Sequence, residues 1–271
     1  MMPDHQRDPG LFYGKTFMSL SVIIITKNEE AHLQACLESV NFADQWIVVD
    51  NNSSDNTRAI AAAFGAEVTQ TQIWPGFGPQ KNLALSLATG QWVLSIDADE
   101  RVTPELALEI RQAMADRAAD GYDIPRLTQF CGQWIHHCGW SPDFVLRLFR
   151  RGQARFTDDL VHERVQLSSG ARLKLKARLL HYSYPTPAHY WRKLAQYSTA
   201  WAEQAHAHGK LSSMPRAVTS GLMAFIKSYI FRLGFLDGSM GFAVCAMQAQ
   251  AAFGKYFTLY CLNQHHAPKK S

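Results

Sequence analysis

The segment Trp92-Val93-Leu94-Ser95-Ile96 is almost wholly apolar and ends abruptly on Asp97-Ala98-Asp99-Glu100. A half-exposed strand alternates between apolar and polar residues, so a continuous apolar run reads as a strand covered on both faces. Side chains at i and i+2 of a strand point the same way, and Asp97 and Asp99 are expected to project together from its carboxyl end. Two neighbouring carboxylates repel each other unless a cation lies between them or one takes up a proton. An all-oxygen pair suits a hard divalent ion such as Mg²⁺ or Mn²⁺, which in turn suits phosphate. A solvated acidic turn is the competing reading of the same residues, and the surrounding chain decides between the two.

Residues 19–26 (SLSVIIIT) form a second continuous apolar run, as a central parallel strand would. Asn28 is expected to cap the next helix, which carries Glu29 and Glu30 in its first turn, places Leu33, Cys36, Leu37 and Val40 on one face, and runs to about Asn41. A strand over 46–49 ends at Asp50, the polar turn 51–57 leads into a helix over 59–64, Gly65 ends it, and 67–69 make a third strand. Such a β-α-β-α-β series predicts a right-handed parallel sheet with its ligands at the carboxyl ends of the strands. Pro79 is expected to open a helix over 80–88 whose first turn holds Lys81. A cation is misplaced at a helix N-terminus unless it meets an anion there, although a solvated lysine explains it equally well.

Thr103 caps a helix that continues through Met114, and beyond Gly121 the pattern turns to shorter alternating strands at 122–126, 144–149, 165–167 and 179–182. These would complete a mixed sheet and wall a second pocket. From Pro187 the reading is helical, with a break near 212–215. The expected organisation is a disordered extension over 1–18, a catalytic domain over 19–186 split into a nucleotide half (19–120) and an acceptor half (121–186), and a helical region over 187–271. Five scattered Cys do not make a disulfide framework and point to a reducing compartment. The spacing of Cys131, His136, His137 and Cys138 matches no standard zinc knuckle. A formal charge of +4 on 271 residues is too small to imply nucleic acid. No G-x-G-x-x-G follows the first strand, so a dinucleotide-dependent dehydrogenase has no support.

In chain order, SVIIITKNEE, VVDNNSSDNT, GFGPQKN and WVLSIDADE resemble the family 2 inverting glycosyltransferases of the GT-A fold. LRLFRR (146–151), VHERV (161–165) and GFLDGSMG (234–241) are similar to their lipopolysaccharide-core, β-1,4-glucosyltransferase branch. The resemblance runs from Ser19 to about Leu262. It implies an α/β fold, a mixed and mainly parallel sheet flanked by helices, with a helical C-terminal appendage. It also implies metal-dependent, inverting transfer of a hexose, glucose in this branch, from a nucleotide-diphosphate sugar such as a UDP-hexose. The implied acceptor is a lipid-linked saccharide of the lipopolysaccharide inner core, with another cell-surface glycan or lipid carrier as the alternative.

The same resemblance implies roles. Asp50 would accept from the nucleobase, and Asn52 and Asp55 would belong to the nucleotide turn, Asp55 having an N-cap role as its structural alternative. Lys81 would face the diphosphate, Asp99 would hold a Mg²⁺ or Mn²⁺ bridging both phosphates, and Asp97 would touch ribose or metal. Inversion in one displacement further requires a carboxylate that removes a proton from the acceptor hydroxyl. The candidates are Asp158, Asp159 and Glu163. The resemblance favours Glu163, with His162 orienting it or binding substrate. Arg147 or Arg150 would bind an acceptor phosphate.

Residues 222–235 and 240–257 are apolar but broken by Lys or Arg before the ~20 residues that a membrane span requires. They suit interfacial helices on an anionic membrane, with core packing or a homodimer interface as the alternative. The expected location is the cytoplasm, peripherally on the inner face of the cytoplasmic membrane. Two other functions compete. A nucleotidyltransferase would want a glycine-rich loop where Thr26-Lys27-Asn28-Glu29 stands, and a non-catalytic membrane scaffold would not need Asp50, Asp97, Asp99 and Glu163 intact.

Overall fold

A computed structural model describes residues 18–116, 118–157 and 164–265. In chain order the elements are β1 (Leu20–Thr26), α1 (Leu33–Ser39), β2 (Gln45–Asp50), α2 (Thr57–Phe64), β3 (Glu67–Gln70), α3 (Phe77–Leu87), β4 (Trp92–Ser95), β5 (Glu100–Val102) and α4 (Pro104–Asp116). There follow β6 (Gly121–Phe130), β7 (Gln133–Ile135), β8 (Asp143–Arg150), β9 (Ala154–Phe156), β10 (Val165–Leu167), β11 (Arg172–Lys174) and β12 (Leu179–Tyr184). Helices α5 (Pro187–Ala207), α6 (Met214–Ile226) and α7 (Gly238–His265) close the chain, with a π-helical turn (Lys227–Phe231) and a 3₁₀ turn (Gly234–Asp237) at the elbow between α6 and α7.

The main sheet runs β3-β2-β1-β4-β8-β6-β12-β5, and β7 and β11 also pair with β6. The first four strands are parallel, with Thr26 opposite Asp50 and Leu20 opposite Trp92. β8 enters antiparallel between β4 and β6. The expected mixed sheet with flanking helices and a helical appendage is therefore what forms. Period-2 alternation sends the strands to two cores. Val22, Ile24 and Leu94 meet Leu33 and Leu37 of α1 and Leu106 and Ile110 of α4. Ile23, Val49, Val93 and Phe149 meet Ala84 of α3 on the other face. Coverage on both faces is why these strands read as continuous apolar runs.

Four local expectations change. Asn28 does not cap α1: it takes a left-handed φ of 56° and the helix begins at Leu33, so Glu29 and Glu30 precede it. Helix α3 starts at Phe77, making Pro79 its third residue and Lys81 its fifth. Pro is tolerated there because first-turn N–H groups have no intrahelical partner. β4 stops at Ser95, so the acidic pair lies in the turn beyond it. β10 pairs with β9 in a separate two-stranded ribbon rather than joining the main sheet.

The appendage is tied to the sheet through an aromatic cluster of Phe130, Trp140, Tyr184 and Tyr190, against Val244 and Cys245 of α7. At the elbow, backbones approach closely. A Cβ on Gly241 would lie 1.9 Å from the Gly234 carbonyl oxygen, and one on Gly234 would lie 2.6 Å from the Cys245 sulfur. The glycines of GFLDGSMG thus have a packing cause. No single described helix is long and apolar enough to cross a membrane; Met214–Phe231 and Gly234–Gln264 reach that composition only as a pair bent by 74°.

The elbow packing makes a testable contrast. Gly241→Ala should destabilise the fold by about 1–3 kcal/mol, the usual cost of overpacking. Gly254→Ala, whose Cβ would meet nothing within 4 Å, should be neutral or stabilising by up to ~1 kcal/mol through helix propensity. Urea denaturation of both variants checks this, and equal stabilities would refute the close approach.

Candidate active site

The carboxyl ends of β1, β2 and β4 bring three loops together. The first two are stitched to each other: Asn28 N–H donates to Ser53 Oγ at 2.8 Å, Asn28 Oδ1 accepts from Ser54 N–H at 2.8 Å, and Glu29 N–H donates to Thr57 Oγ1 at 2.8 Å. Asp50 is fully buried beneath them. Its carboxylate accepts from Thr26 Oγ1 at 2.9 Å, from Ser53 N–H at 2.8 Å and from the Ser53 hydroxyl. Asp55 accepts from the Thr57 N–H and hydroxyl, and these bonds outweigh burial and hold its carboxyl below the usual range.

A chain of alternating charges runs under the third loop. Asp97 Oδ1 lies 3.1 Å from Lys81 Nζ, and Asp97 Oδ2 lies 2.6 Å from Arg147 Nη2. The same Arg147 nitrogen is 2.6 Å from Glu100 Oε1, which Arg126 approaches to 3.5 Å while also pairing with Asp143. Glu100 has no exposed surface, and its other oxygen accepts from the Asp97 N–H at 2.9 Å. Burial pushes the Asp97 carboxyl up, but Arg147 and Lys81 outweigh it and hold it well below the usual carboxylate range.

Asp99 faces elsewhere. Its Oδ2 lies 3.4 Å from His181 Nε2, and the other ring nitrogen of His181 is 3.4 Å from Thr128 Oγ1. Burial raises the Asp99 carboxyl, and the His181 contact brings it below its ordinary value. The turn after β4 gives Asp97 and Asp99 different protein partners, Lys81 and Arg147 for the first and His181 for the second. Both line a cleft of about 440 Å³ with Lys27, Glu29, Lys81, Arg126, His181 and Lys193, and the exposed edge-to-face pair Trp74 and Phe77 stands at its mouth. Glu29 is pushed up to about 7, first by burial and then by the Asp99 charge, with Lys193 opposing. A second cleft, about 620 Å³, shares Lys81, Asp97 and Arg126 and continues past Phe144, Phe156 and Arg172.

Of the predicted residues, Lys81, Asp97 and Asp99 meet in the cleft. Asp50, Asn52 and Asp55 do not line it; Asn52 is exposed and accepts from Gln70 Nε2 at 2.9 Å. Asp158, Asp159, His162 and Glu163 lie outside the described residues. Of the two arginines expected to offer one phosphate ligand, Arg147 is buried between Asp97 and Glu100, and Arg150, partly exposed, pairs with Asp120 at 2.9 Å over the Trp92 ring. The misplaced cation of the sequence, Lys81, has found its anion in Asp97. Glu29 and His181 were missed. By sequence Glu29 has only a helix-dipole role, and His181 reaches the site through the pairing of β12 with β6 and β5, which no local motif encodes.

Among the described residues no group of three or more His, Cys, Asp or Glu is arranged to hold a metal ion, the 131–138 cluster included. His137 instead pairs with Asp237 at 2.9 Å. Both Asp97 oxygens are taken by cations, which leaves Asp99 and His181 as a carboxylate-imidazole pair. The Asp99 carboxylate is the donor that fits a Mg²⁺ or Mn²⁺, since such ions are held beside phosphates by one or two carboxylates and seldom by all-protein cages.

The sequence pattern of the family described as "Glycosyl transferase family 2" matches residues 21–177. A Rickettsia typhi protein named as an uncharacterized glycosyltransferase is 33% identical over 246 residues, which cover 86% of this chain and 84% of that one. The lipopolysaccharide core biosynthesis glycosyltransferase LpsC of Rhizobium meliloti is 30% identical over 266 residues, 93% of this chain and 94% of its own. Among solved structures, residues 1–349 of S. aureus TarS in complex with UDP align over 93% of each chain at 17% identity, with a TM-score of 0.47.

Glu29 offers a pH test. An acid whose folded pKa is raised binds its proton more tightly folded than unfolded, so its contribution favours folding at low pH and is lost as pH rises from about 4.5 to about 7. The Glu29 side-chain carbon should titrate near 7 by NMR, and Asp99→Asn should lower that midpoint by removing the largest neighbouring negative charge. A midpoint near 4.5 in the parent would refute the arrangement.

Proposed function

The chain belongs to glycosyl transferase family 2, and from that premise we propose that it moves a hexose, glucose in the first instance, from a UDP-hexose to a lipid-linked saccharide of the lipopolysaccharide inner core. The acceptor class rests on the near full-length similarity to LpsC, and the β-1,4 linkage on the branch motifs. Two of those motifs have structural causes here, since LRLFRR carries Arg147 and GFLDGSMG packs the elbow, so the linkage is the finest part of the proposal. The observation that carries the chemistry is the cleft itself, where Asp99 and His181 stand beside the Lys81–Asp97 pair at the carboxyl ends of parallel strands.

In this reading Asp99, with His181 beside it, would hold a Mg²⁺ or Mn²⁺, and the ion would supply Lewis-acid neutralisation of the leaving diphosphate. Thr128 orients the His181 ring from behind, as outer partners of ligand histidines do. Lys81 adds a positive charge at the diphosphate while Arg147 keeps Asp97 ionised and fixed beneath it. Trp74 and Phe77 offer aromatic surface to the nucleotide, Asn52 and Asp55 extend the nucleotide loop, and Asp50 holds that loop from inside. Inversion draws the acceptor proton to a carboxylate on the far face of the sugar. Glu163 is the proposed base, oriented by His162, with Asp159 and then Asp158 next in line.

Metal and base separate in experiment. Asp99→Ala should abolish turnover and weaken UDP-hexose binding in Mn²⁺ far more than in EDTA. Glu163→Gln should keep the donor affinity and lose ~10²-fold or more in turnover, as loss of a general base does. Full donor binding by Asp99→Ala with Mn²⁺ present would remove Asp99 as a ligand, and near-full turnover by Glu163→Gln would move the base to Asp159.

The protein is further proposed to sit peripherally on the cytoplasmic face of the inner membrane. The elbow between α6 and α7 supports this: Leu222, Met223, Ile230, Phe235, Leu236 and Phe242 are exposed, and Phe231 is 76% exposed. Lys227 and Arg232 stand among them, and the one acid of the elbow, Asp237, is spent on His137. Each basic residue near an anionic surface contributes about 1 kcal/mol, weakening with salt. The protein should float with phosphatidylglycerol vesicles at low salt and be released by high salt or alkaline carbonate. Retention through carbonate would mean insertion across the bilayer, and indifference to vesicles with dimerisation in solution would mean that a second copy covers the elbow.

A further inference from the structure

The helical appendage holds a groove of about 420 Å³ between α5, α6 and α7 that shares Tyr184, Lys193 and Tyr197 with the active-site cleft. Its far wall is formed by Trp201, Gln204, Gln248 and Lys255. Lys255 Nζ lies 4.8 Å over the Trp201 ring, and Lys193 Nζ lies 5.1 Å over that of Tyr184. Lys193 has acidic company across the cleft, where its charge acts on Glu29 and Asp99. Lys255 has none: no carboxylate among the described residues stands within 4.0 Å of its ammonium group. Gln248, also in the lining, gives its Nε2 to the Cys138 carbonyl at 3.1 Å.

Aromatic faces, amide groups and an ammonium ion with no carboxylate of the described residues beside it form a particular donor set. Flat rings pack against the C–H faces of a pyranose, amides exchange hydrogen bonds with its hydroxyls, and the ammonium group meets a carboxylate or phosphate. An acyl chain fits poorly, because it would cover the Lys255 ammonium group and the Gln204 amide with nothing to replace their water. The elbow proposed to face lipid carries Phe, Leu, Ile and Met instead, so the two surfaces differ in chemistry as well as in place. We infer that this groove is the acceptor subsite and takes an acidic saccharide, with its reacting sugar at the Tyr184–Lys193 end beside Asp99 and its acidic substituent at Lys255. The inference rests on the transferase reading above for the direction of the saccharide, but the recognition of an acidic glycan stands on the groove alone.

The test uses the full chain, with UDP plus Mn²⁺ as the donor-site probe and deacylated lipopolysaccharide core oligosaccharide, rich in carboxylate and phosphate, as the groove probe. Binding of the oligosaccharide should quench Trp201 fluorescence, and the quench should vanish in Trp201→Phe. Lys255→Glu should weaken the oligosaccharide at least ~10-fold, as loss of a charge-assisted contact does, and Lys255→Arg should restore it. UDP affinity should stay within about twofold in every variant, which also shows that they fold. Equal oligosaccharide affinity in the parent and Lys255→Glu, or displacement of the oligosaccharide by dodecylphosphocholine but not by a short acidic glycan, would overturn the assignment. A parent that binds the oligosaccharide through Lys255 but not UDP would leave the groove intact and sink the transferase reading. A parent that binds UDP but not the oligosaccharide would do the reverse.

Discussion

The site depends on the buried guanidinium of Arg147. It arrives on β8, the antiparallel strand that interrupts the parallel series, and bonds Asp97 and Glu100 through one nitrogen at 2.6 Å each. Those two carboxylates stand at either end of the turn that carries Asp99. The cation therefore pins both ends of the loop after β4 to the neighbouring strand. A buried ion pair seldom adds net stability over an apolar substitute, whereas removing one partner leaves an uncompensated charge costing about 3–5 kcal/mol. What the pair contributes is position. With Lys81 and Arg126 at its flanks, the chain of charges fixes where each oxygen of the acidic turn can point.

From this follows a division of labour between residues that look alike in sequence. Asp97 is caged by cations and held ionised well below the usual range, so it serves geometry and electrostatics from beneath. Asp99, two residues on, has an imidazole beside it and open cleft in front. Two chemically identical side chains thus acquire different capacities through their neighbours, as paired carboxylates in active sites generally do. Asp50 illustrates the same point at the next loop. It is buried and saturated by Thr26 and Ser53, and it shapes the loop that others present.

Much of this was legible in the residues. Burial on both faces leaves continuous apolar runs, so β1, β2 and β4 could be placed from sequence, and the cation near the start of α3 does meet an anion, Asp97. The failures share a cause. Asn28 was assigned by its local capping preference, yet its side chain is claimed by Ser54, 26 residues away. Arg147 was expected to be open to an acceptor phosphate, but β8 lies inside the sheet between β4 and β6 and its faces are covered. His181 had no motif at all, because it owes its place to the register of an edge region. Local chemistry can be read from sequence, but which strand lies beside which cannot, and the second decides the partners of every charged group here.

The helical appendage and the cleft share residues, Tyr184, Lys193 and Tyr197, and are joined through several contacts. The attachment is stiff. Asp237, at the elbow, accepts the backbone N–H groups of His136 and His137 and pairs with the His137 ring, tying the elbow to the loop after β7. Cys138 donates its backbone N–H to Arg232, and Gln248 of α7 returns a bond to the Cys138 carbonyl. Phe130, Trp140, Tyr184 and Tyr190 then interlock, with centroids 5.3–6.4 Å apart, between β6, β12 and α5. Tyr184 belongs both to this cluster and to the wall of the active-site cleft. A close-packed interior transmits displacement rather than absorbing it. The hairpin 131–140, which from sequence looked like a failed metal site, is better understood as the joint that keeps appendage and cleft in one fixed relation.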